Sequence, residues 1–586
     1  MPAKSASKVP AKPSTPAPAG GFTPERFEAE LKGLAAKARD DSSGKRVVEQ
    51  LFLFAKAALL LALLGVYSFV SPLYLSPVYG SLPASLWHSR LLMVGCFIGW
   101  AGNVAFRNLL PVRTTKLLPL VAVYIPTVQW FLVGYSSLLG PRWGPLFTEG
   151  VTLMPLAVLT AASVADLFED ARLPLLPGFI AEAAPGIGSW AWLKFVELQA
   201  SRHLLPNMGR LIPLTRLGLE LMLGAVYAVL DRSKLLLYVL PPLMHTMVFN
   251  THLSSPAATS RLVSSMLSDD WLLLERRESL TGYVSVVQSL DRGFRAMRCD
   301  HSILGGDWIN ERGRALSEPI YGVFVMLEAV RLAERDDPPP DKEARALVVG
   351  LGVGTTPSTL VTHGINTTVV EIDPVVHEFA VKYFNLKENN PPILEDAVSY
   401  TSSLTETAPQ SYDYIIHDVF TGGAEPVQLF TLEFLQSLER LLKPNGVIAI
   451  NYAGDLALPP PAIIMRTIKR VFPTCRVFRE VPPDAKAIEL DGADFANMAI
   501  FCTKSSSPLK FRSPTPADHL ESETRKMFLT LDNEMLESEI LSRHEDDTTV
   551  LLRNDTSAVE KWHEQGALGH WAIMRRMLPA SVWERW

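Results

Sequence analysis

ALVVGLGVG, residues 346–354, is the stretch that decides the fold of the C-terminal half of this chain. An apolar strand runs into a G-x-G-x-G turn, and the segment TTPSTLVTHG that follows has the character of a helix. Glycine lets the backbone turn sharply and approach a ligand closely, so this turn is typical of a phosphate- or nucleoside-binding loop. We therefore predict that Gly350, Gly352 and Gly354 line a cofactor site.

A second apolar strand, TTVVEID, follows the loop and ends in acidic residues. Glu371 lies 21 residues past Gly350, and a carboxylate about 20 residues downstream, at the end of strand two, is where ribose hydroxyls are held. Glu371 and Asp373 are therefore predicted to bind the cofactor.

Two further strand ends continue the series. Asp396 and Ala397 follow a short third strand, and the fourth strand, YDYIIHD, ends at Asp418. Because ligands of doubly wound sheets bind at the carboxyl ends of the strands, these acids are expected at one site. The pattern predicts an α/β Rossmann-like nucleoside-binding domain over residues 342–505.

The segments on either side of this domain have patterns of their own. Short alternating runs predict a small β-domain over residues 271–335, with a hairpin of strands 283–288 and 293–298. An Asp- and Pro-rich linker separates it from the Rossmann-like domain. A helical extension, residues 517–586, is predicted at the other end, with an amphipathic helix over 520–543.

The N-terminal half is apolar. The chain has 586 residues, of which 48% are hydrophobic and 20% charged, so several units are expected and a disordered chain is excluded. Residues 1–46 are predicted to be a disordered basic tail. Residues 47–255 hold hydrophobic runs of the length that crosses a bilayer, at 51–71, 91–110, 117–140 and 145–166, with weaker ones at 173–192, 211–230 and 235–253. We predict a transmembrane bundle of about six spans, embedded in the lipid bilayer.

The distribution of charge predicts the orientation of that bundle. Residues 1–255 carry 22 Lys+Arg against 14 Asp+Glu, whereas residues 256–586 carry 33 against 47. The basic tail favours a cytosolic N-terminus, and an even number of spans puts the soluble half in the cytosol as well. An acidic soluble half disfavours nucleic acid as a partner.

The four cysteines are scattered, without C-x-x-C spacing or histidine pairs at ligand spacing. The pattern disfavours a disulfide framework and a structural metal site, and it favours a reducing compartment for the soluble half. No metal cofactor is therefore expected.

These motifs together resemble the spermidine/spermine synthase family, which has the S-adenosylmethionine-dependent methyltransferase fold. The resemblance covers residues 271–505 and includes CDHSILGG, EPIY, VVEIDP, EDA and YDYIIHDVF. It implies that the glycine loop and Glu371 hold the nucleoside and that Asp396 contacts adenine. It implies also that Asp418 is the catalytic acid that takes the proton of the attacking amine, or orients it, with Tyr321 opposite. Asp300, Tyr321 and Thr421 would line the substrate site.

The chain departs from the family pattern at three positions. The glycine loop has Val353 where the family has an acid, Thr421 replaces the second polyamine-binding acid, and Gly282 stands where a glutamine is expected. Each buried ammonium must be paired, so a diamine site needs several carboxylates. These departures disfavour putrescine as the acceptor.

The resemblance thus implies a membrane-anchored transferase that moves an aminopropyl or methyl group to a small amine, in polyamine metabolism. Its cofactor would be decarboxylated or intact S-adenosylmethionine, and a homodimer is expected. A small-molecule methyltransferase is one alternative. Another is a membrane sensor or transporter whose cofactor domain binds without turnover, which Val353 and Thr421 favour.

Overall fold

The structure is a computed structural model, and it describes residues 24–169, 178–309, 316–419, 425–483, 485–542 and 548–586. A helical region comes first in the chain, followed by a small sheet, a large sheet with helices on both faces, and a helical extension. This order confirms the predicted succession of a helical region and an α/β methyltransferase-like fold.

Eleven α-helices make up the described part of the helical region: α1 (Pro24–Tyr79), α2 (Ser81–Ser85), α3 (His88–Ala101), α4 (Asn103–Leu109), α5 (Leu118–Val133), α6 (Ser136–Val151), α7 (Leu153–Glu169), α8 (Gly178–Leu204), α9 (Arg216–Leu230), α10 (Leu240–Val248) and α11 (Pro256–Leu267). Among the described residues, two stretches are long and apolar enough to cross a membrane, Val48–Tyr79 and Ser136–Glu169. The bent pair α3–α4 is a third if it is counted as one span.

The prediction of six spans is therefore wrong. The run 117–140 contains a helix of only 16 residues, because α5 ends before Gly134 and Gly140 adopts a non-helical φ of 68°. The segments 211–230 and 235–253 form helices too short to qualify, and 173–192 lies partly outside the described residues. Hydropathy alone does not register such breaks, because glycine and turn residues lower the average only slightly.

The small sheet is an antiparallel meander of five strands: β1 (Trp271–Glu278), β2 (Tyr283–Ser289), β3 (Phe294–Cys299), β4 (Ser302–Trp308) and β5 (Glu318–Pro319). Strands β2 and β3 confirm the predicted hairpin, with Ser289 paired to Phe294 across the turn. Strand β2 is buried almost throughout, since the sheet lies between the helical region and the Rossmann-like domain.

The large sheet has the order β12-β10-β11-β9-β8-β6-β7. Its strands are β6 (Arg345–Val349), β7 (Asn366–Val370), β8 (Tyr412–His417), β9 (Leu442–Asp455), β10 (Thr474–Arg479), β11 (Phe495–Thr503) and β12 (Glu534–Met535). Strands β7, β6, β8 and β9 are parallel, so their carboxyl ends share one edge, while β11 runs antiparallel and begins at that edge. The predicted third strand is reduced to a single bridge between Ile393 and Val370.

Helices cover both faces of the large sheet: α12 (Gly322–Leu327), α13 (Thr355–Thr362), α14 (Pro374–Tyr383), α15 (Ala397–Thr407), α16 (Leu432–Leu441), α17 (Pro460–Val471) and α18 (Ala485–Asp491). Helix α16 shows the pattern that fixes such a helix, since Phe434, Leu435, Leu438 and Leu441 form one buried apolar stripe. The continuous apolar run of β8 is buried on both sides, as expected for a central parallel strand.

The C-terminal extension is broken into short helices: α19 (Pro516–His519), α20 (Glu523–Phe528), α21 (Glu537–Leu541), α22 (Ser557–Glu560), α23 (His563–Met577) and α24 (Ala580–Glu584). The prediction of a single amphipathic helix over residues 520–543 is wrong. Leu531 lies in the left-handed region with a φ of 54°, and β12 then pairs with β10, so the chain leaves the helix to extend the sheet.

The helical region and the small sheet are held together by buried polar contacts. The Arg216 guanidinium on α9 lies 3.3 Å from the carboxylates of both Glu278 and Asp300. Trp586, from the extension, stacks on His252 at 4.4 Å between ring centroids and is fully buried. These contacts fix the orientation of the small sheet against the helices.

A disulfide joins Cys475 on β10 to Cys502 on β11, which corrects the expectation that the chain lacks one. The two cysteines are directly opposite in the antiparallel register. They are 27 residues apart in sequence, and only the strand pairing brings them together, so spacing along the chain carries no signal of the bond.

Candidate functional site

The glycine loop, which is predicted to bind the cofactor, packs against the end of β8. Gly350, Gly352 and Gly354 all have positive φ, at 86°, 55° and 84°. A Cβ atom on Gly350 would lie 2.0 Å from the backbone oxygen of Asp418, and one on Gly352 would lie 2.6 Å from the oxygen of Leu304. The loop therefore requires glycine for its conformation and for its close approach to the end of β8 and to β4.

Glu371 lies next to the loop, and each oxygen of its carboxylate accepts one hydrogen bond from a backbone N–H. One oxygen accepts the Leu351 N–H at 3.0 Å and the other accepts the Asp373 N–H at 2.8 Å. Burial raises the pKa of this carboxyl to about 7. Each oxygen keeps acceptor capacity after these two bonds, so Glu371 fits the predicted role of holding two ribose hydroxyls.

Asp373, in contrast, has no remaining capacity for a ligand. Its Oδ1 accepts the Val375 N–H, which caps α14, and the Ser279 hydroxyl; its Oδ2 accepts the N–H and hydroxyl of Thr281. A carboxylate offers about four acceptor sites, and all four are filled. The structure therefore places Asp373 as the residue that ties the large sheet to the small one, not as a cofactor contact.

Asp396 and Ala397 begin α15 at the same edge. Asp396 is exposed, and its Oδ2 accepts the N–H and hydroxyl of Ser399 as a helix cap. Ala397 is buried beside it. The contact between Asp396 and adenine stays a prediction.

Asp418 follows β8 and is half-buried at the centre of the edge. Its Oδ1 accepts a hydrogen bond from the Asn451 amide at 2.8 Å, and its backbone N–H donates to the oxygen of Val349. Burial raises the pKa of the Asp418 carboxyl to about 6, against the opposing effect of the Asn451 hydrogen bond. A carboxylate with this pKa is ionised at neutral pH and still basic enough to take a proton.

Tyr321 lies at the start of α12, which packs against β9 and β11. Its hydroxyl is buried and has no hydrogen-bond partner among the described residues, and no hydrogen bond joins it to Asp418 there. Burial and the negative charge of Glu480 both raise the pKa of the Tyr321 phenol above its ordinary value. The carboxylate next to Tyr321 is thus that of Glu480, which accepts the N–H of the following residue, Gly322.

Three polar residues that the sequence analysis did not identify complete this side of the edge. Asn451 on β9 and Asn497 on β11 lie on one face of the sheet, because Asn451 pairs with Ala499 and Asn497 with Ala453 in the antiparallel register. Glu480 accepts the Asn497 amide at 2.7 Å. The only signal in the sequence is an asparagine in each of two otherwise apolar strands, NYAG and FANMAIF.

Within the described part of the chain, the structure does not bring together the residues that were predicted to line the site of an amine substrate, Asp300, Tyr321 and Thr421. The Asp300 carboxylate accepts the Tyr283 N–H at 2.8 Å and lies against Arg216, so a cation of the chain already neutralises it. Thr421 lies outside the described residues. Val353 is buried in the core, and a Cβ on Gly305 would lie 2.7 Å from its side chain. Val353 therefore closes the position where the family has an acid.

No described cluster of His, Cys, Asp and Glu side chains is suited to hold a metal ion. The polar residues at the carboxyl edge of the large sheet instead form two groups. Glu371, the glycine loop and Asp396 offer a nucleoside its acceptors, while Asp418, Asn451, Asn497, Glu480 and Tyr321 form a polar acceptor edge beside it. Such a site suits transfer of a group from a nucleoside cofactor to a nitrogen nucleophile.

Comparison with known proteins agrees with this arrangement. A family model for the spermine/spermidine synthase domain matches residues 332–483. The polyamine aminopropyltransferase of Vibrio vulnificus is 36% identical over 114 residues, which cover 19% of this chain and 38% of that protein. A probable spermidine synthase from Corynebacterium glutamicum aligns at 16% identity over 49% of this chain and 97% of that one, with a TM-score of 0.37, too low to add to the argument.

One similarity extends over nearly the whole chain. The N-terminal histidine N-methyltransferase of Emericella nidulans is 43% identical over 544 residues, which cover 90% of this chain and 97% of that protein. The match therefore includes the helical region as well as the Rossmann-like domain. The chain belongs to the same family as the Emericella nidulans enzyme, and it is an S-adenosylmethionine-dependent methyltransferase with a spermidine-synthase-like domain.

Proposed function

We propose that this protein methylates a nitrogen of an amino-terminal histidine in a polypeptide. The observation that carries the proposal is the 43% identity to the Emericella nidulans N-terminal histidine N-methyltransferase over 97% of that enzyme. The half-buried Asp418, hydrogen-bonded to Asn451, supports it, because methylating a nitrogen releases a proton that a nearby base must accept.

The residues of the chain have two tasks in this reaction. When bound, S-adenosylmethionine supplies an electrophilic methyl group. Glu371 and the glycine loop hold and orient the nucleoside, which fixes the direction from which the acceptor must approach. Asp418 orients the acceptor nitrogen and accepts its proton, and the Asn451 amide holds the carboxylate in place.

Aminopropyl transfer to a small amine, the other activity that the resemblance implies, has less support. A diamine needs free carboxylates, but Asp300 is paired with Arg216 and Val353 is packed against Gly305. A binding-only role as sensor or transporter also has less support. Asp418 and the unpartnered Tyr321 hydroxyl are groups that a site without turnover does not require.

The proposal is tested with the purified full-length protein in detergent. We expect methyl transfer from S-adenosylmethionine to a peptide that begins with histidine, read by mass spectrometry. The same peptide with one alanine placed before the histidine should not be methylated. Putrescine offered with decarboxylated S-adenosylmethionine should give no spermidine. Equal methylation of both peptides, or spermidine formation, would contradict the proposal.

We propose further that the protein is anchored in a membrane by Val48–Tyr79, the bent pair α3–α4 and Ser136–Glu169, an odd number of spans. With the basic N-terminal tail in the cytosol, three spans place the catalytic domain on the other side of the membrane, in an oxidising compartment. Large apolar side chains on the helical region are exposed, among them Leu138 and Phe97, which favours contact with lipid. The Cys475–Cys502 disulfide is typical of oxidising compartments and does not favour the cytosolic placement expected from the sequence.

A glycosylation or protease tag placed after Trp586 in the intact protein reads this orientation directly. We expect modification of the tag inside the secretory lumen, and alkylation without prior reduction should label neither Cys475 nor Cys502. A tag accessible only from the cytosol, together with two free thiols, would contradict the placement.

A further inference from the structure

Glu480 is a carboxylate fixed at the acceptor edge by two separate elements of the fold. It directly follows β10, and its own N–H donates to the backbone oxygen of Asn497. One carboxylate oxygen accepts the Gly322 N–H at 2.6 Å, and the other accepts the Asn497 amide at 2.7 Å. The side chain is therefore held in one position and remains partly open to solvent.

The charge of Glu480 is not neutralised by the described part of the chain. Its two hydrogen-bond donors, Gly322 and Asn497, are both uncharged. Other carboxylates of the chain have their partners, because Asp300 lies against Arg216 and Asp373 has four donors. An exposed surface carboxylate needs no partner, but Glu480 is only partly exposed and lies beside the Tyr321 phenol.

Two oxygens on this side of the edge have no hydrogen-bond partner among the described residues. One is the hydroxyl of Tyr321, and the other is the Oδ1 of Asn451, the residue that holds Asp418. Buried polar atoms are normally hydrogen-bonded, so these two oxygens, together with the carboxylate of Glu480, point to a ligand that supplies the missing partners. A carboxylate, a phenol oxygen and an amide oxygen together accept hydrogen bonds, which suits a ligand group rich in N–H donors.

We propose that Glu480, with Tyr321, binds the α-ammonium group of the acceptor polypeptide, while the histidine ring lies toward Asp418. An ammonium carries three N–H donors and one positive charge, which match the unused acceptors and the uncompensated charge of Glu480. This inference rests on the proposed function, and it makes Glu480 the residue that distinguishes a free amino terminus from an internal histidine.

The test is a double-mutant cycle on binding, with full-length protein and S-adenosylhomocysteine present. Wild type and Glu480→Gln are each titrated by calorimetry with a peptide that begins with histidine and with its des-amino analogue. We expect the wild type to bind the des-amino peptide about 10- to 100-fold more weakly, the range for hydrogen bonds to a charged group. Glu480→Gln should bind both peptides with nearly equal, weak affinity.

Glu425→Gln is the matched control. Glu425 also lies near this edge, but Tyr452 donates a hydrogen bond to its Oε1 at 2.7 Å, and the His563 Nε2 lies 3.1 Å from its Oε2. This variant should keep the wild-type preference for the free amino terminus. If Glu480→Gln lowers the affinity for S-adenosylhomocysteine, Glu480→Asp takes its place, and a partial preference is then expected because the charge is kept on a shorter side chain.

Failure of the proposed function and failure of the role of Glu480 give different results. A wild-type protein that methylates no peptide beginning with histidine would refute the proposed function. Methylation of such peptides, with Glu480→Gln retaining the full wild-type preference in binding, would refute the role of Glu480 alone. A preference lost in Glu425→Gln but not in Glu480→Gln would assign the ammonium to the other carboxylate and overturn the inference.

Discussion

Replacing Asp418 with asparagine should lower the methyl-transfer rate by about 10²- to 10⁴-fold without weakening cofactor binding. Asparagine keeps the shape of the side chain and a hydrogen bond to Asn451 but cannot accept a proton. Because the pKa of Asp418 is about 6, the wild-type rate at saturating acceptor should fall as the pH drops below 6 and the carboxylate becomes protonated. That contribution to the pH profile should be missing in Asp418→Asn. Single-turnover kinetics at several pH values measure both effects.

Glu371→Ala is the contrasting variant for this experiment. It removes the acceptors of the two ribose hydroxyls, so cofactor affinity should fall by about 2–4 kcal/mol, roughly 30- to 1000-fold. The two variants thus separate chemistry from binding. An Asp418→Asn protein with a rate within threefold of wild type would show that another group accepts the proton.

Replacing Arg216 with alanine should destabilise the folded protein by about 3–5 kcal/mol, the cost of leaving a buried charge without its partner. Arg216 is 1% exposed and lies between Glu278 and Asp300, and its Nε also donates to the backbone oxygen of Leu73. Burial raises the pKa of both carboxyls, and Arg216 opposes that rise.

The pH dependence of this effect follows from the direction of those shifts. Acids with a raised pKa in the folded state lose folding stability as the pH rises, and removal of Arg216 raises both pKa values further. The deficit of Arg216→Ala should therefore be smallest in acid and grow toward pH 8 in thermal unfolding experiments. Arg277→Ala, which removes an exposed pair with Glu378, should cost less than about 1 kcal/mol at any pH. Equal unfolding temperatures for the two variants would contradict the assignment.

The pairing of Arg216 bears on the acceptor that we propose. Glu278 and Asp300 belong to the small β-domain, and the helical region supplies the cation that pairs with both. Asp418 and Glu480, in contrast, have no ion-pair partner among the described residues, and they follow different strands of the large sheet.

Local sequence by itself determined much of the carboxyl edge of the large sheet. The glycine loop, Glu371 and Asp418 were predicted to lie at this edge, because each follows an apolar strand and parallel strands bring their carboxyl ends together without further information. The hairpin of β2 and β3 was predicted for a similar reason, since its pairing is between neighbours in the chain. Asp373 was predicted to bind the cofactor, but donors from the distant Ser279 and Thr281, between β1 and β2, fill much of its carboxylate, and the local sequence gives no sign of them.

Only the tertiary structure decided the acceptor side. Asn451, Asn497 and Glu480 meet through pairing of β9, β10 and β11, and the same pairing places Cys475 opposite Cys502. Arg216 reaches Asp300 across 84 residues of chain, and the breaks around α5 reduce the number of candidate spans. Periodicity and motif spacing record contacts between neighbours in sequence, whereas these contacts depend on register and packing between distant segments, which no local pattern specifies.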